Sequence, residues 1–401
     1  MESSLEIPMI KRQKKKFRFH LLGLVHLPVS ERYMGCAFTQ KIVKMSKMLL
    51  ALGHEVYLYG AENSDVPCTE HIQTHTLKEI RDTWGEGDNR FEIGYNWQET
   101  QFKHDINEGG TTELWRNFNK RVVQEIEKRK KPDDFLVIMQ GYYQKPIADA
   151  VGLYLTIEPG IGYRGSIPKL SNGNPVFRGF ESTYMENFAY GSEHPFKSID
   201  GANYDMIVPN YFDPKDFKVG KGNGDYYFYI GRLIHRKGIA VAVEACRALG
   251  KKLVIAGQPD DIEKPRIDFP HCEYVGYVGP EERTRLMGDA IATFVPTQYL
   301  EPFAGTHVES MLCGTPVITT NFAVFTDTVI NGVNGYRCRT LNDFVQAAKL
   351  APKLDRKKVR KSAERFLMPN IQNDLERWFR DLYQVYLSTD GKTPGWNYIE
   401  K

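Results

Sequence analysis

Glu301 and Glu309 stand with seven residues between them in the stretch EPFAGTHVESMLCGTPV, and their setting could do chemistry. Residues 291–296 (IATFVP) before them form a short apolar run suited to a buried strand. Residues 307–312 read as a helix that Gly314 and Pro316 stop, and Val317 and Ile318 open the next strand. The loop in between lies at the carboxyl end of a parallel strand, where open α/β sheets bind ligands. Amides of Phe303, Ala304, Gly305 and Thr306 would be free at the helix start, and with the helix dipole they form an anion site suited to phosphate. Glu309 lies about 7 Å along the helix at ~1.5 Å per residue. The two carboxylates can therefore take hydroxyls on opposite sides of a phosphate, which is the layout of a sugar, a diphosphate and a ribose. Taken singly, either glutamate could equally do no more than complement the helix dipole.

Two cations extend the set. Residues 226–230 (YYFYI) read as a strand, Gly231-Arg232 and Lys237-Gly238 follow, and residues 239–249 read as a helix. That layout lets the Arg232 fork and the compact Lys237 ammonium reach one diphosphate. His235 and Arg236 read as their solvated neighbours. Residues 252–256 and 273–278 read as strands whose ends cup the base, mainly through backbone groups.

The elements that position these groups repeat a βαβ pattern. Residues 17–25 read as a strand, 35–52 as a helix with Ile42, Met45, Met48 and Leu49 on one face and Gly53 as its stop, and 56–59 as the next strand. This opening typifies doubly wound domains. Residues 65–110 are polar and irregular, with room for a short strand or two. Residues 112–131 form an amphipathic helix whose buried face is Leu114, Phe118, Val122 and Ile126. Residues 135–139 and 153–157 read as strands. The second runs into Glu158-Pro-Gly-Ile-Gly-Tyr-Arg164-Gly, a glycine-rich loop whose Glu158 and Arg164 are candidates to touch an acceptor or the sugar, or form an ordinary surface pair.

The chain has 401 residues, enough for two domains, with 41% hydrophobic and 26% charged residues. The formal net charge is +3, and residues 1–16 alone carry +3 through Lys11, Arg12, Lys14, Lys15 and Lys16 against Glu2 and Glu6. That arm reads as a disordered, solubilising segment, with nucleic-acid contact, a nuclear signal or a membrane surface as the alternatives. No run of 18 apolar residues occurs, and no apolar leader follows the N-terminal charges. Six scattered cysteines without a CxxC spacing read as free thiols in a reducing, cytoplasmic compartment. Ten histidines show no ligand spacing and no Asp-x-Asp occurs, so no metal site is expected.

E-P-F, the seven-residue glutamate spacing, M-x-C-G-T-P-V and the G-R-x4-K-G turn together resemble the donor-binding motifs of the family 4 retaining glycosyltransferases. The likeness is strongest over about residues 205–340. It implies the GT-B fold, an α/β architecture of two doubly wound, Rossmann-like domains facing across a cleft. The implied layout is a basic arm at 1–16, an acceptor-side domain at 17–207, a nucleotide-sugar domain at 208–370, and a helix and tail at 371–401 crossing back to the first domain. Residues 209–214 (PNYFDP) resemble the family's interdomain segment. The resemblance implies a nucleotide-sugar co-substrate, a UDP-sugar foremost, and retention without a metal or other cofactor. Arg232 and Lys237 would offset charge on the departing diphosphate, Glu301 would hold the sugar hydroxyls and Glu309 the ribose. Gly231, Phe303, Ala304, Gly305 and Thr306 would line the donor, and Tyr277 and Val278 the base. The family usually has glycine where this chain has Ala304. It often has two glycines where this chain has Gly35 alone, which is otherwise a helix start needing a small residue. The pattern from HLLGL to VPNYFDP looks like a branch common in phage and large-virus genomes, which makes host cytoplasm the implied location. The acceptor is a glycan or small molecule, with DNA, reached through the basic arm, as the minority expectation. A GT-B sugar-nucleotide epimerase and a non-catalytic binder of sugar nucleotides are the alternatives.

Overall fold

The computed structural model describes residues 15–33, 36–84, 112–161, 166–193, 204–257 and 266–388. The first sheet contains β1 (Arg18–Leu22), β2 (Glu55–Ala61), β3 (Glu70–His75), β4 (Phe135–Val137), β5 (Thr156–Ile161), β6 (Phe177–Phe180) and β7 (Met206–Ile207). These seven strands pair in the order β3-β2-β1-β4-β5-β6-β7, every pair parallel. The second contains β8 (Tyr226–Ile230), β9 (Lys252–Ala256), β10 (Cys272–Tyr274), β11 (Thr293–Val295), β12 (Val317–Thr320) and β13 (Gly335–Cys338), six strands ordered β10-β9-β8-β11-β12-β13, again all parallel. In both sheets the chain goes outward one way, returns to the middle and goes out the other way. The order therefore reverses between β1 and β4, and between β8 and β11. Such switch points open a crevice at the carboxyl ends of the strands.

Parallel strands joined by helices must be covered on both faces. The first sheet is flanked by α1 (Ala37–Ala51), α2 (Leu77–Trp84), α3 (Glu113–Glu127), α4 (Lys145–Val151) and α5 (Thr183–Glu193). Ile42, Met45, Met48 and Leu49 of α1 are buried, and Gly53 follows the helix with φ 86°, a left-handed stop that a glycine takes without strain. Thr112 caps α3, its Oγ1 accepting from the Trp115 amide at 3.3 Å, and Leu114, Phe118, Val122 and Ile126 are buried. In the second domain α6 (Ile239–Leu249), α7 (Pro280–Asp289), α8 (Gly305–Leu312), α9 (Phe325–Thr328), α10 (Leu341–Leu350) and α11 (Arg356–Ala363) enclose the sheet. Strand alternation sends Phe228 to one core, and Tyr227 and Tyr229 to the other.

The chain crosses between the domains twice, and the crossings run side by side: the Phe212 amide donates to Phe366 O (3.0 Å) and the Met368 amide to Phe212 O (2.9 Å). After the second crossing α12 (Met368–Ser388) lies on the first domain. Its Ile371, Leu375, Trp378, Phe379, Leu382 and Val385 share a core with Phe17, Phe19 and Phe135. Trp378 Nε1 donates to Tyr204 O at 2.6 Å, and His54 pairs with Glu376 at 2.8 Å. Among the described residues no helix is long and apolar enough to cross a membrane, and all six cysteines are free thiols.

Several elements differ from expectation. Residues 65–84 hold β3, a short strand of the kind expected there, but also α2, which was not expected, and α4, β6 and α5 were not anticipated. The described end of the basic arm is pinned: Lys15 pairs with Asp133 at 2.6 Å and lies over the Tyr383 ring, and Lys16 pairs with Glu55 at 3.1 Å. The rest of the arm, residues 1–14, lies outside the described residues.

Candidate active site

At the switch point of the second sheet a cavity of about 250 Å³ opens between the turn after β8 and the loop after β11. Its wall includes Gly231, Arg232, Lys237, Thr297, Tyr299, Glu301 and Thr306. Both predicted cations, the first glutamate and the start of α8 thus meet in one place.

Backbone shape brings them there. Residues His235–Lys237 form a 3₁₀ turn closed by Gly238 at φ 76°. A Cβ on Gly238 would lie 2.0 Å from the carbonyl oxygen of Pro296. Only glycine lets the β8 turn press onto the β11 loop so closely. Lys237 Nζ then reaches Glu301 Oε2 at 2.5 Å, with the Tyr299 ring 5.2 Å below the ammonium. Burial alone would lower the Lys237 pKa, but the Glu301 carboxylate and Tyr299 outweigh it and hold the ammonium above its ordinary value. Arg236 is not simply solvated: its guanidinium lies over the same Tyr299 ring, 5.4 Å from the centroid, and its carbonyl accepts from the Gln298 amide at 2.8 Å.

Ala304 precedes α8 at φ 60°, ψ 60°, a left-handed conformation unusual for a residue with a side chain. The turn is held from both sides. His307 is fully buried, and its Nδ1 donates to Ala304 O at 2.6 Å, as does its own amide at 3.1 Å. Burial depresses the His307 pKa to about 4, so the ring is neutral in this role. Phe303 is wedged among Phe212, Phe366 and His307. The first amides of α8, those of Gly305 and Thr306, have no partner within the helix and point their partial positive charge outward.

Not every predicted residue reaches the cavity. Phe303, expected to line the donor, is 1% exposed and anchors the loop from beneath. Glu309 lies farther along α8 and pairs with Arg283 Nη1 at 3.4 Å. Burial lowers the pKa of Lys44, on α1 of the first domain, and the Glu309 carboxylate opposes that, so Glu309 is within electrostatic reach of the first domain. Tyr277 feels the charges of Arg283 and Glu309 and is 38% exposed, whereas Val278 packs half-buried on the second core. Glu158 is 3% exposed and its Oε2 accepts from the Ile167 amide at 3.1 Å, so in this structure it braces the first domain's backbone. Gly35 and Arg164 lie outside the described residues.

Tyr299, Thr297 and Tyr229 on the wall, and Arg283 beside Glu309, went unrecognised in the sequence. A signal existed for two of them. Thr297, Tyr299 and Glu301 alternate at every second residue, as an extended segment with one face on a cavity must.

The fold is GT-B. Sucrose-phosphate synthase from Thermosynechococcus elongatus superposes with a TM-score of 0.60 at 16% identity, over 92% of this chain and 99% of that one. The Anabaena protein HepE, in complex with UDP and glucose, superposes with a TM-score of 0.60 at 13% identity, over 91% and 100%. Residues 212–366, which hold the cavity, match the family model described as glycosyl transferases group 1. Over 122 residues the chain is 33% identical to glycogen synthase of Mycobacterium tuberculosis, a match covering 27% of this chain and 29% of that relative. The chain thus spans under a third of the length of the curated relatives it matches.

Proposed function

We propose that the protein is a retaining glycosyltransferase that moves a sugar from a nucleoside diphosphate, UDP foremost, to an acceptor hydroxyl. The observation that carries this reading is the meeting of Arg232, Lys237 and Glu301 on one cavity wall beside the start of α8. Two cations and free helix amides suit a diphosphate, and a carboxylate next to them suits sugar hydroxyls. The UDP and glucose bound by HepE agree with such a ligand.

In the reaction the bond from the sugar's anomeric carbon to the phosphate oxygen breaks, and a bond to the acceptor oxygen forms on the same face. The acceptor proton passes to the departing phosphate. Negative charge grows on that phosphate, and Arg232 and Lys237, already oriented, stabilise it. Glu301 is engaged by Lys237 in the free protein. A diphosphate drawing on Lys237 releases the carboxylate toward the sugar, so donor binding exchanges one partner for another at both residues. Neutralisation by side chains makes the reaction independent of divalent metal.

Incubation with UDP-, GDP- and ADP-sugars, with and without an acceptor panel, tests the proposal, with mass-spectrometric readout and EDTA in parallel. Free nucleotide and a glycosylated product should appear only with an acceptor, and EDTA should leave the rate unchanged. Conversion of one donor sugar into another without acceptor would indicate an epimerase instead. Loss of activity in EDTA, restored by Mg²⁺ or Mn²⁺, would show that Arg232 and Lys237 do not suffice.

A further inference from the structure

Beside the cavity, exposed aromatic rings from both domains gather on one rim. Leu300 of the donor loop packs on Ile161, Phe180, Met185 and Ala189, and Ser182 Oγ donates to Pro302 O at 2.8 Å, so the start of α5 stands against that loop. Tyr184 of α5 meets Phe322 of the second domain edge to face, centroids 5.9 Å apart. Phe188 lies one helical turn beyond Tyr184 and shares its side of α5. Phe188 and Phe322 are 42% and 41% exposed, a large apolar area to leave in water.

The turn that presents Phe322 is built into the site. Thr320 Oγ1 donates to the carbonyl of Thr297, a wall residue of the cavity, at 2.7 Å. Ala323, next after Phe322, holds φ 50° with its methyl buried at 2% exposure. A left-handed alanine is costly and persists only where its surroundings impose it. Here that conformation buries Ala323 and leaves Phe322 in solvent.

We propose that Tyr184, Phe188 and Phe322 form the platform on which a neutral glycan acceptor docks. A pyranose ring has one apolar C–H face and a rim of hydroxyls. The rings would stack on that face while the hydroxyl edge turns toward the donor site next door. Charge separates this occupant from a nucleic acid. Phosphate backbones need lysine or arginine, and neither α5 nor residues 321–324 carries one, while α5 carries Glu186. The inference rests on the transferase reading above.

The test uses the full chain with saturating UDP on a printed array of neutral and sulfated oligosaccharides, together with a labelled DNA duplex. Wild type should retain one or more neutral oligosaccharides. Phe188→Ser and Phe322→Ser should each lower that retention about tenfold, the upper reach of one aromatic contact, with melting temperatures unchanged because both rings are exposed. Retention equal to wild type in both variants, no neutral oligosaccharide held by wild type, or preference for the duplex or sulfated glycans would overturn the platform. Calorimetry of UDP binding to the wild type separates the two readings. UDP bound without glycan defeats only the platform, whereas no UDP bound defeats the donor site beneath it.

Discussion

Replacing Lys237 by methionine removes the cation but keeps most of its volume, and so isolates the Lys237–Glu301 contact. Glu301 is 8% exposed and its carboxylate sits 2.5 Å from the ammonium. Breaking a buried pair costs about 3–5 kcal/mol, because one charge is left uncompensated, while exposed pairs contribute ~0–1 kcal/mol. The Lys237 side chain is 21% exposed, which moves the expected loss below the buried range, to about 2–3 kcal/mol. For a domain of this size that lowers the melting temperature by roughly 5–10 °C. Adding Glu301→Gln removes the stranded charge and should recover most of the loss, giving a coupling of about 2 kcal/mol in a double-mutant cycle. Sugar transfer should be lost in both variants, so stability and activity part company in the double mutant. Differential scanning fluorimetry at pH 7 and a turnover assay on the four proteins read both quantities. Lys237→Met as stable as wild type, or a double mutant less stable than either single one, refutes the pairing. The alkaline limb gives a second reading. Lys237 is held above its ordinary 10.5, so its stabilisation is complete below about 10.5 and fades as pH rises through the higher folded value. The methionine variant should lack that fading.

On the acid side, burial depresses His26, His75 and His307 to about 4, and the neighbouring charge of His75 adds to the effect on His26. The unfolded chain takes up those protons near 6.5 while the fold rejects them, so stability should fall as pH drops from 6.5 to 4, by up to about 4 kcal/mol per pH unit. Urea titrations across that window check it, and His307→Gln should remove about a third of the slope. Gly238→Ala forces a left-handed alanine and a Cβ 2.0 Å from Pro296 O, so it should weaken UDP binding by calorimetry tenfold or more. Gly305→Ala meets only Phe212, at 3.7 Å, and should leave the melting temperature unchanged. Glu301→Gln should lower kcat more than it raises the donor KM, because the sugar gains positive charge only in the transition state. Glu309→Gln should do the reverse, as uniform binding of a ribose requires. Steady-state kinetics with the opposite split would place the donor the other way round.

What the sequence showed and what it hid follow from the same physics. β8, β9 and α6 were legible to the residue because each is a dense apolar run ended by Gly231, Gly257 or Gly250. β6 was not, since Phe177–Phe180 contains Gly179, which reads as a turn. In the fold that glycine is demanded by close packing, for a Cβ there would meet Val208 at 2.6 Å. α4 starts with proline in its first turn, and α5 buries only Met185 and Ala189 in the small cluster beneath it, too narrow a stripe to register as a helix. At the site, Arg232, Lys237 and Glu301 were legible from residue type and spacing. The direct contact of Lys237 with Glu301 was not, because β8 and β11 become neighbours only when β9 and β10 leave for the other side of the sheet. Spacing of 64 residues along the chain carries no trace of that.

Phe303 shows why motif membership and contact can diverge. It sits inside the motif that marks the donor loop, yet its ring faces the two interdomain crossings, packing on Phe212 from the first and Phe366 from the second. Those two residues are also hydrogen-bonded to one another through their backbones. The donor loop and the joint between the domains therefore share one aromatic core. Interiors packed at crystal density transmit displacement rather than absorb it. A rotation about the crossings shifts Phe212 or Phe366, and the shift arrives at Phe303 and at the left-handed Ala304 beside it. His307 holds the Ala304 carbonyl with both its ring and its amide and so braces that turn. Across the cleft, Ser182 grips the same loop through Pro302. The head of α8 is thus held by contacts from both domains, so on the proposed reading donor affinity and domain arrangement are linked, each altering the other by the same free energy.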